Sequence, residues 1–321
     1  MAAIYSSDNQ IITEEMKSEI TYISHNEIDT SKWDECVKNA QNGFVFGYSW
    51  YLDSVCDSWD ALVLNDYEAV FPITKKSKFG LKYFVNPIFA LQLGVFSKNK
   101  ITSDQLGSFL QNIPSKIKLI DIQLNCENKY TGDDFQITEK TCQYVPLNES
   151  YSVISQKYSS NLKRNLSKAR KNNLEIVLSV NTERVVQLFK ENRGGSLVEM
   201  REEQYERLNT LLKEMRENKM AKIYECWFGK ELIASACFSN CNGRIVYIKG
   251  GTTQKGRDLG AMHLIMDEVI HLNSGSEMIF DFGGSSIPQV ARFNHGFGAI
   301  DYVYQRLYRN KLPLLIRLLK K

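Results

Sequence analysis

The sequence lacks any apolar run near the ~18 residues that a membrane-spanning helix needs. Its first twenty residues, MAAIYSSDNQIITEEMKSEI, lack the basic start and apolar centre of a secretory signal. Net charge is scarce, +3 over 321 residues. No global field argues for nucleic-acid binding, DNA is not expected as a partner, and local basic clusters must carry any such claim. The seven cysteines (Cys36, Cys56, Cys126, Cys142, Cys226, Cys237 and Cys241) are odd in number and form no C-x-x-C pair. Cys237 and Cys241 have no second Cys/His pair at zinc-finger spacing. These absences point to buried thiols in a reducing compartment, and the expected location is cytoplasmic. Only four histidines are present. His263 and His271 stand eight apart rather than four, and no metal site is expected. The triplet Asp281-Phe282-Gly283 matches the magnesium-holding letters of protein kinases, but no His-Arg-Asp triplet occurs anywhere, which excludes that reading.

Hydrophobic residues make up 43% and charged residues 24%, ordinary values for a soluble globular protein. Residues 1–20 read as a polar leader. Two stretches with the same order of elements follow, 21–150 and 151–310. In the first, one helix is expected with Ser31 or Thr30 as its N-cap, and a second short one around Ser49 to Cys56. DALVLNDYEAVFPI reads as a hairpin around Asn65-Asp66, and KYFVNPIF, LQLGVF, KLIDIQLN and CQYVPL read as strands. TSDQLGSFLQNI is a capped helix ending before Pro114. In the second, NTERVVQLFKENRG and REEQYERLNTLLKEMREN are helices and AKIYECWFGKELIASACF is a hairpin. RIVYIKGG is a strand, GRDLGAMHLIMDEVIHLN one helix, EMIFDFGG a strand, IPQVARFNHG a short helix and DYVYQRLYR a last strand. The boundary is expected near Pro146. The tail, 311–321, is apolar with Arg317, Lys320 and Lys321; it suits a helix docked on its own domain or a peripheral membrane contact.

One absence is local. Between Ser150 and Asn173 there is no acid, while Lys157, Lys163, Arg164, Lys168, Arg170 and Lys171 are all basic. Ile154, Tyr158, Leu162, Leu166 and Ala169 fall at helical spacing, so one linking helix over 151–172 is expected, with an apolar stripe and a cationic surface. Solvated faces normally mix both signs. A strip of one sign suits a polyanionic ligand, with Lys163 and Arg164 as charged contacts and Asn161 and Ser160 as neutral ones.

The pieces YSSNLKRNLSKARKNNLEI, KGGTTQKGRDLGAMHLIMDEVI and DFGGSSIPQVARFNHGFGA occur in this order and at these distances. Together with WDECVKNAQNGFVFGYSWYLDSV and FPITKKSKFGLKYFVNPIFALQLGVF near the start, they resemble the FemAB-like branch of the GNAT acyltransferase superfamily. The resemblance runs from Trp33 to Leu307. It implies an α/β fold with mixed sheets, built as two tandem GNAT-like domains. It implies transfer of an acyl or aminoacyl group from a thioester or a tRNA ester to an amine. The acceptor would be a small molecule or a cell-envelope precursor, and acyl-CoA would be the co-substrate. The alternatives are a tRNA-dependent aminoacyltransferase and a non-catalytic binding protein that kept the fold.

GNAT proteins bind the CoA pyrophosphate on a Q/R-x-x-G-x-G/A turn at a helix N-terminus, where exposed N–H groups and the helix dipole favour phosphate. The matching segment is Arg257 to Met262, with Met262 in place of the small last residue and Asp258 at the mouth. The resemblance assigns Thr252, Gln254, Gly256, Arg257 and Gly260 to the donor, and Gly250, Gly251 and Gly256 are expected to leave the loop free to wrap phosphate. Tyr247 and Lys249 alternate with Val246 and Ile248, which predicts that they share one face of their strand. There Lys249 would stabilise an oxyanion and Tyr247 would protonate the leaving group. Asp281, at a strand tip, is expected either to take the acceptor's proton or to cap its turn. Ser285, Arg292 and Phe293 are expected at the acceptor, with Arg292 pairing with Asp281 or reaching a phosphate.

Overall fold

The computed structural model describes residues 19–78, 80–192, 200–284 and 287–313. The first half runs β1 (Ile20–Ile23), α1 (Thr30–Asn39), α2 (Ser49–Val55), β2 (Ser58–Leu64), β3 (Ala69–Lys78), β4 (Leu81–Val85), β5 (Phe96–Ser97), α3 (Ser103–Gln111), β6 (Ile117–Gln123) and β7 (Gln136–Pro146). The second runs α4 (Tyr151–Gln156), α5 (Ser160–Lys171), β8 (Glu175–Ser179), α6 (Thr182–Asn192), α7 (Glu202–Glu217), β9 (Ala221–Phe228), β10 (Glu231–Cys241), β11 (Arg244–Thr252), α8 (Gln254–Leu259), α9 (Ala261–Asn273), β12 (Ile279–Asp281), α10 (Pro288–His295) and β13 (Ile300–Asn310).

Local chemistry sets these ends. Asp29 caps α1 by accepting from Lys32 N–H, one residue before the cap expected from the sequence. Thr102 and Gln105 close a capping box on α3. The expected linking helix is two helices. The chain leaves α4 after Gln156, and the Ser159 hydroxyl accepts from Leu162 N–H to start α5. The expected single helix over 256–273 is also two. Gly260, at φ +79, takes the left-handed conformation that ends α8 and turns the chain into α9. LQLGVF is not a strand of its own; Phe96–Ser97 pairs with β3, and Leu93 makes an isolated parallel bridge to Leu124. Ile20 lies in β1, so the expected leader overlaps the first strand, and its residues 1–18 are outside those described. Most of the tail, 314–321, is outside them too.

The strands form one sheet in the order β1-β2-β3-β4-β6-β13-β7-β12-β11-β10-β9-β8. This order reads alike from both ends. Each half contributes an edge strand, an antiparallel meander and a parallel neighbour, with β4 parallel to β6 and β11 parallel to β12. The last strand of each half then crosses over: β13 pairs with β6, and β7 pairs with β12. β7 and β13 pair with each other from Tyr144↔Ile300 to Gln136↔Tyr308, so no break in the sheet marks the boundary expected near Pro146.

Alternation along the strands separates the cores. Ala61 and Val63 join Trp33 and Tyr51 in a core shared with α6 and α7, while Leu62 faces the α3 side. In the second half, Cys237, Val246 and Ile248 join the shared core, and Phe238 and Ile245 face α5 and α9. The shared core binds the two halves through fully buried Trp33, Tyr51, Leu208 and Leu211, each contributing about 1.5–3 kcal/mol by burial. Arg207 on α7 fastens the join, donating to Val55 O at 2.9 Å and to Asp57 at 2.7 Å.

Candidate functional site

β11 and β12 stay paired for only three residues, Arg244↔Ile279 to Val246↔Asp281. Beyond Val246 they part, and β11 continues to Thr252 paired only with β10. A cleft of about 410 Å³ opens there, lined by Tyr247, Thr252, Gly256 and Arg257 on one side and by Met262, Met266, Phe282, Val290 and Phe293 on the other. A second cleft of about 400 Å³ is lined by Phe46, Lys76, Asn86, Phe89, Gln123, Lys249 and Gly283. Tyr247 lines both clefts.

The strand carrying Tyr247 is bulged. Phe238 faces Tyr247 and Cys237 faces Lys249, so Ile248 is the extra residue in the ladder. Opposed residues share a face. Tyr247 therefore packs with Phe238, their rings 5.7 Å apart, on the α9 side. Lys249 turns to the opposite side, where its ammonium lies 5.6 Å from the Phe89 ring centroid and 5.2 Å from that of Phe189. The shared face expected for Tyr247 and Lys249 is thus corrected: one inserted residue reverses the alternation. Burial raises the Tyr247 hydroxyl's pKa well above its ordinary value, which keeps it a proton donor.

Asp281 is buried and does not open into either cleft. Arg244 Nη1 and the Tyr302 hydroxyl (2.8 Å) both donate to its Oδ2, and Gly283 N–H donates to Oδ1 at 2.8 Å. Arg244 also stacks 4.9 Å from the Phe44 ring. The expected pairing of Asp281 with Arg292 is replaced by this one, because β11 and β12 are parallel neighbours and bring Arg244 alongside. Arg292 is exposed and lines neither cleft. Phe293 does line the first, its ring 4.8 Å from His263 and 5.4 Å from Phe297. Ser285 lies outside the described residues. His263 also lines that cleft, and burial lowers its pKa to about 4.

Of the expected donor residues, Thr252, Gly256 and Arg257 line the first cleft. Gln254 and Gly260 stand behind it. Gln254 Oε1 accepts from Arg257 Nη2 at 2.8 Å, while Arg257 Nη1 donates to Thr252 O at 3.0 Å and to Asn192. The guanidinium is held at the cleft mouth. Gly251 has a packing reason in place of the expected freedom to wrap phosphate. A Cβ there would lie 2.2 Å from the Leu188 backbone, so its bareness lets α6 lie on β11.

The basic strip is less uniform than its sequence. Lys157 pairs with Glu149, and Arg170 pairs with buried Asp267 at 2.7 Å. Lys163, Arg170 and Lys171 line a groove of about 810 Å³ beside Tyr151 and Tyr158. Arg164 and Asn161 do not line it; their side chains bond one another at 3.4 Å. Sequence reasoning passed over Lys76, Asn86, Phe89 and Gln123. Asn86 braces their loop, accepting from Gln123 N–H at 2.7 Å and donating to Ala90 O at 3.2 Å. Phe89 sits at φ +78, and its carbonyl accepts from the Tyr51 hydroxyl at 2.7 Å. No His/Cys/Asp/Glu cluster among the described residues has the arrangement of a metal site. Among the same residues no helix is long and apolar enough to cross a membrane.

Residues 156–294 match the family described as an acetyltransferase (GNAT) domain. This stretch is similar to a GNAT domain. It spans the parting strands, the 257–262 turn and α10, and ends before β13. The whole chain is similar in fold to the crystal structure of FemX, at 12% identity and a TM-score of 0.64, covering 92% of this chain and 99% of that one. It is similar to L-PGS from Bacillus licheniformis at 11% identity and 0.58, covering 91% and 95%. It is also similar to a tandem GNAT protein from the clavulanic acid biosynthesis pathway at 10% identity and 0.50, covering 92% and 99%. The fold is therefore the FemAB-like form of tandem GNAT domains, as the resemblance implied. No curated protein matches the sequence.

Proposed function

We propose that this GNAT-like protein is an N-acyltransferase moving an acyl group from a phosphate-bearing carrier thioester, such as acyl-CoA, to an amine. The observation that carries this reading is the meeting of two clefts at Tyr247. The donor lies in the first cleft, with its phosphates toward Arg257 and Thr252. The amine enters by the second, past Lys76 and Lys249. Its nitrogen attacks the thioester carbon, the C–N bond forms and the C–S bond breaks. Tyr247, kept protonated by burial, gives its proton to the departing thiolate, and the proton released from the new amide nitrogen leaves through solvent to restore the tyrosine. The Lys249 ammonium, together with the Ile248 N–H that the bulge takes out of register, stabilises the oxyanion. Asp281 takes no proton in this scheme; it holds Arg244, Tyr302 and the Gly283 turn. Direct attack is favoured over a covalent enzyme intermediate because burial raises the pKa values of Cys142, Cys226 and Cys237 to about 12 and keeps them as thiols. The test is incubation with acyl-CoA donors and an amine library that includes envelope precursors, following free thiol. Acceptor-dependent thiol release supports the reading; none with any donor and acceptor defeats it.

A second reading, transfer of an aminoacyl group from tRNA, is favoured by the groove of Lys163, Arg170 and Lys171. An electrophoretic shift with charged tRNA at low salt that vanishes in Lys163→Glu/Lys171→Glu supports it, and the absence of any shift removes it.

A further inference from the structure

We infer that the transferred acyl group is an uncharged hydrocarbon chain longer than acetyl, and that Met262 and Met266 set its length. This deepens the reading above and rests on it. The first cleft divides into two regions. Its polar end is the Arg257 mouth and the Thr252 backbone. The remainder is walled by Met262, His263 and Met266 on α9, Phe282 after β12, and Val290 and Phe293 on α10, with the Gln289 and Asn294 amides interspersed on the same helix. Met262 and Met266 stand one helical turn apart, which makes about 6 Å of continuous apolar wall along α9. Val290 and Phe293, three apart on α10, form a second wall. A carrier arm running from Arg257 toward Tyr247 covers part of this surface; an acetyl group would leave the rest without a partner, whereas a chain of several methylenes covers it.

The described lining of the cleft also lacks the counter-charge that an aminoacyl group's ammonium would meet. No carboxylate is among its described lining residues. The imidazole there, His263, packs against Phe293 and stays uncharged at neutral pH because burial disfavours its cation. An α-ammonium brought between Met266 and Phe293 would be desolvated with no opposite charge to meet it. Methionine supplies a wall that adapts to chains of different length, since its unbranched side chain has three rotatable bonds. The volume of about 410 Å³ lies within the range of small-molecule sites.

The experiment measures binding of acetyl-, butanoyl- and octanoyl-CoA by calorimetry, with thiol release followed in parallel. The expected result is affinity rising about fourfold per added methylene until the wall is covered, the equivalent of ~0.8 kcal/mol per buried CH2. Equal affinity for acetyl- and octanoyl-CoA overturns the inference, as does failure of every acyl-CoA to bind. Length-dependent binding without transfer to any amine supports the inference and strikes only the reaction proposed above. In Met266→Trp the octanoyl-to-acetyl affinity ratio should fall at least tenfold. Met262→Ala truncates a partly exposed side chain and keeps the test open if the tryptophan variant does not fold. It should move the preferred chain length upward, and an unchanged preference in folded Met262→Ala overturns the assignment.

Discussion

Removing Asp281 separates a structural carboxylate from a catalytic one. Its side chain is 1% exposed and its partner Arg244 18%. Asp281→Ala leaves the guanidinium buried without its counter-charge and strips acceptors from the Tyr302 hydroxyl and Gly283 N–H. Breaking one side of a buried pair costs about 3–5 kcal/mol. With an unfolding entropy of roughly 2.1 cal/mol/K per residue, a cooperative chain of 321 residues loses roughly 4–7 °C in melting temperature. Calorimetry and urea titration read the loss. The paired change Arg244→Met/Asp281→Leu, which removes both charges, should recover most of it, because replacing a buried pair by apolar residues is often neutral. The reasoning is refuted if Asp281→Ala melts within 1 °C of wild type, on the order of the cost of a surface change, while acyl transfer disappears. That outcome would make Asp281 the proton acceptor that its sequence position first suggested.

Three more predictions follow from the same geometry. His263 has its pKa lowered to about 4 by burial, below the ~6.5 of the unfolded chain, so its contribution is full above pH 6.5 and is lost as pH falls toward 4. Between pH 7 and pH 5 this amounts to roughly 2 kcal/mol, and His263→Gln should flatten that part of the stability profile; an unchanged profile contradicts the burial argument. Gly251→Ala should destabilise by more than the roughly 1 kcal/mol of an average substitution, because the added carbon meets the Leu188 backbone and α6 must move; a urea midpoint equal to wild type would show that α6 yields freely. Burial pushes the Asp60 carboxyl up, but bonds from Lys75, Tyr22 and the His25 N–H outweigh it and leave its pKa below the ordinary value. Its stabilisation is therefore present above pH ~4 and lost as pH falls further. Asp60→Asn should be less stable than wild type at pH 7, with the gap closing in acid, and a gap independent of pH would count against it.

The long periodic segments were legible because their chemistry is local. α6 and α7 carry apolar stripes, α3 has its capping box and the hairpins have their turns, so the order of elements could be read off. What the sequence concealed was either a single residue or a distant partner. Nothing in RIVYIKGG marks Ile248 as an insertion, yet it sends Lys249 to the face opposite Tyr247. Gly260 looks like one more helix residue until its left-handed φ divides α8 from α9. Edge strands β1 and β8 are too short to declare themselves by alternation. The basic run from Lys157 to Lys171 is acid-free along the chain, but Glu149 and Asp267 reach it in space. Asp281 has three acceptor contacts, and the nearest long-range partner in sequence, Tyr302, stands 21 residues away. The second cleft went unseen because its walls come from α2's approach, β3, the 86–91 loop, β6 and β11, which share no motif.

The central claim is that Tyr247, where the two clefts meet, donates the proton that releases the carrier thiol. The measurement is the turnover of Tyr247→Phe against wild type, with an acyl-CoA and an accepted amine, read as free thiol and alongside a melting curve. The account predicts a fall in kcat of about 100-fold or more, the scale of a lost general acid, with donor KM and melting temperature near wild type. Full turnover in a folded Tyr247→Phe protein would contradict it.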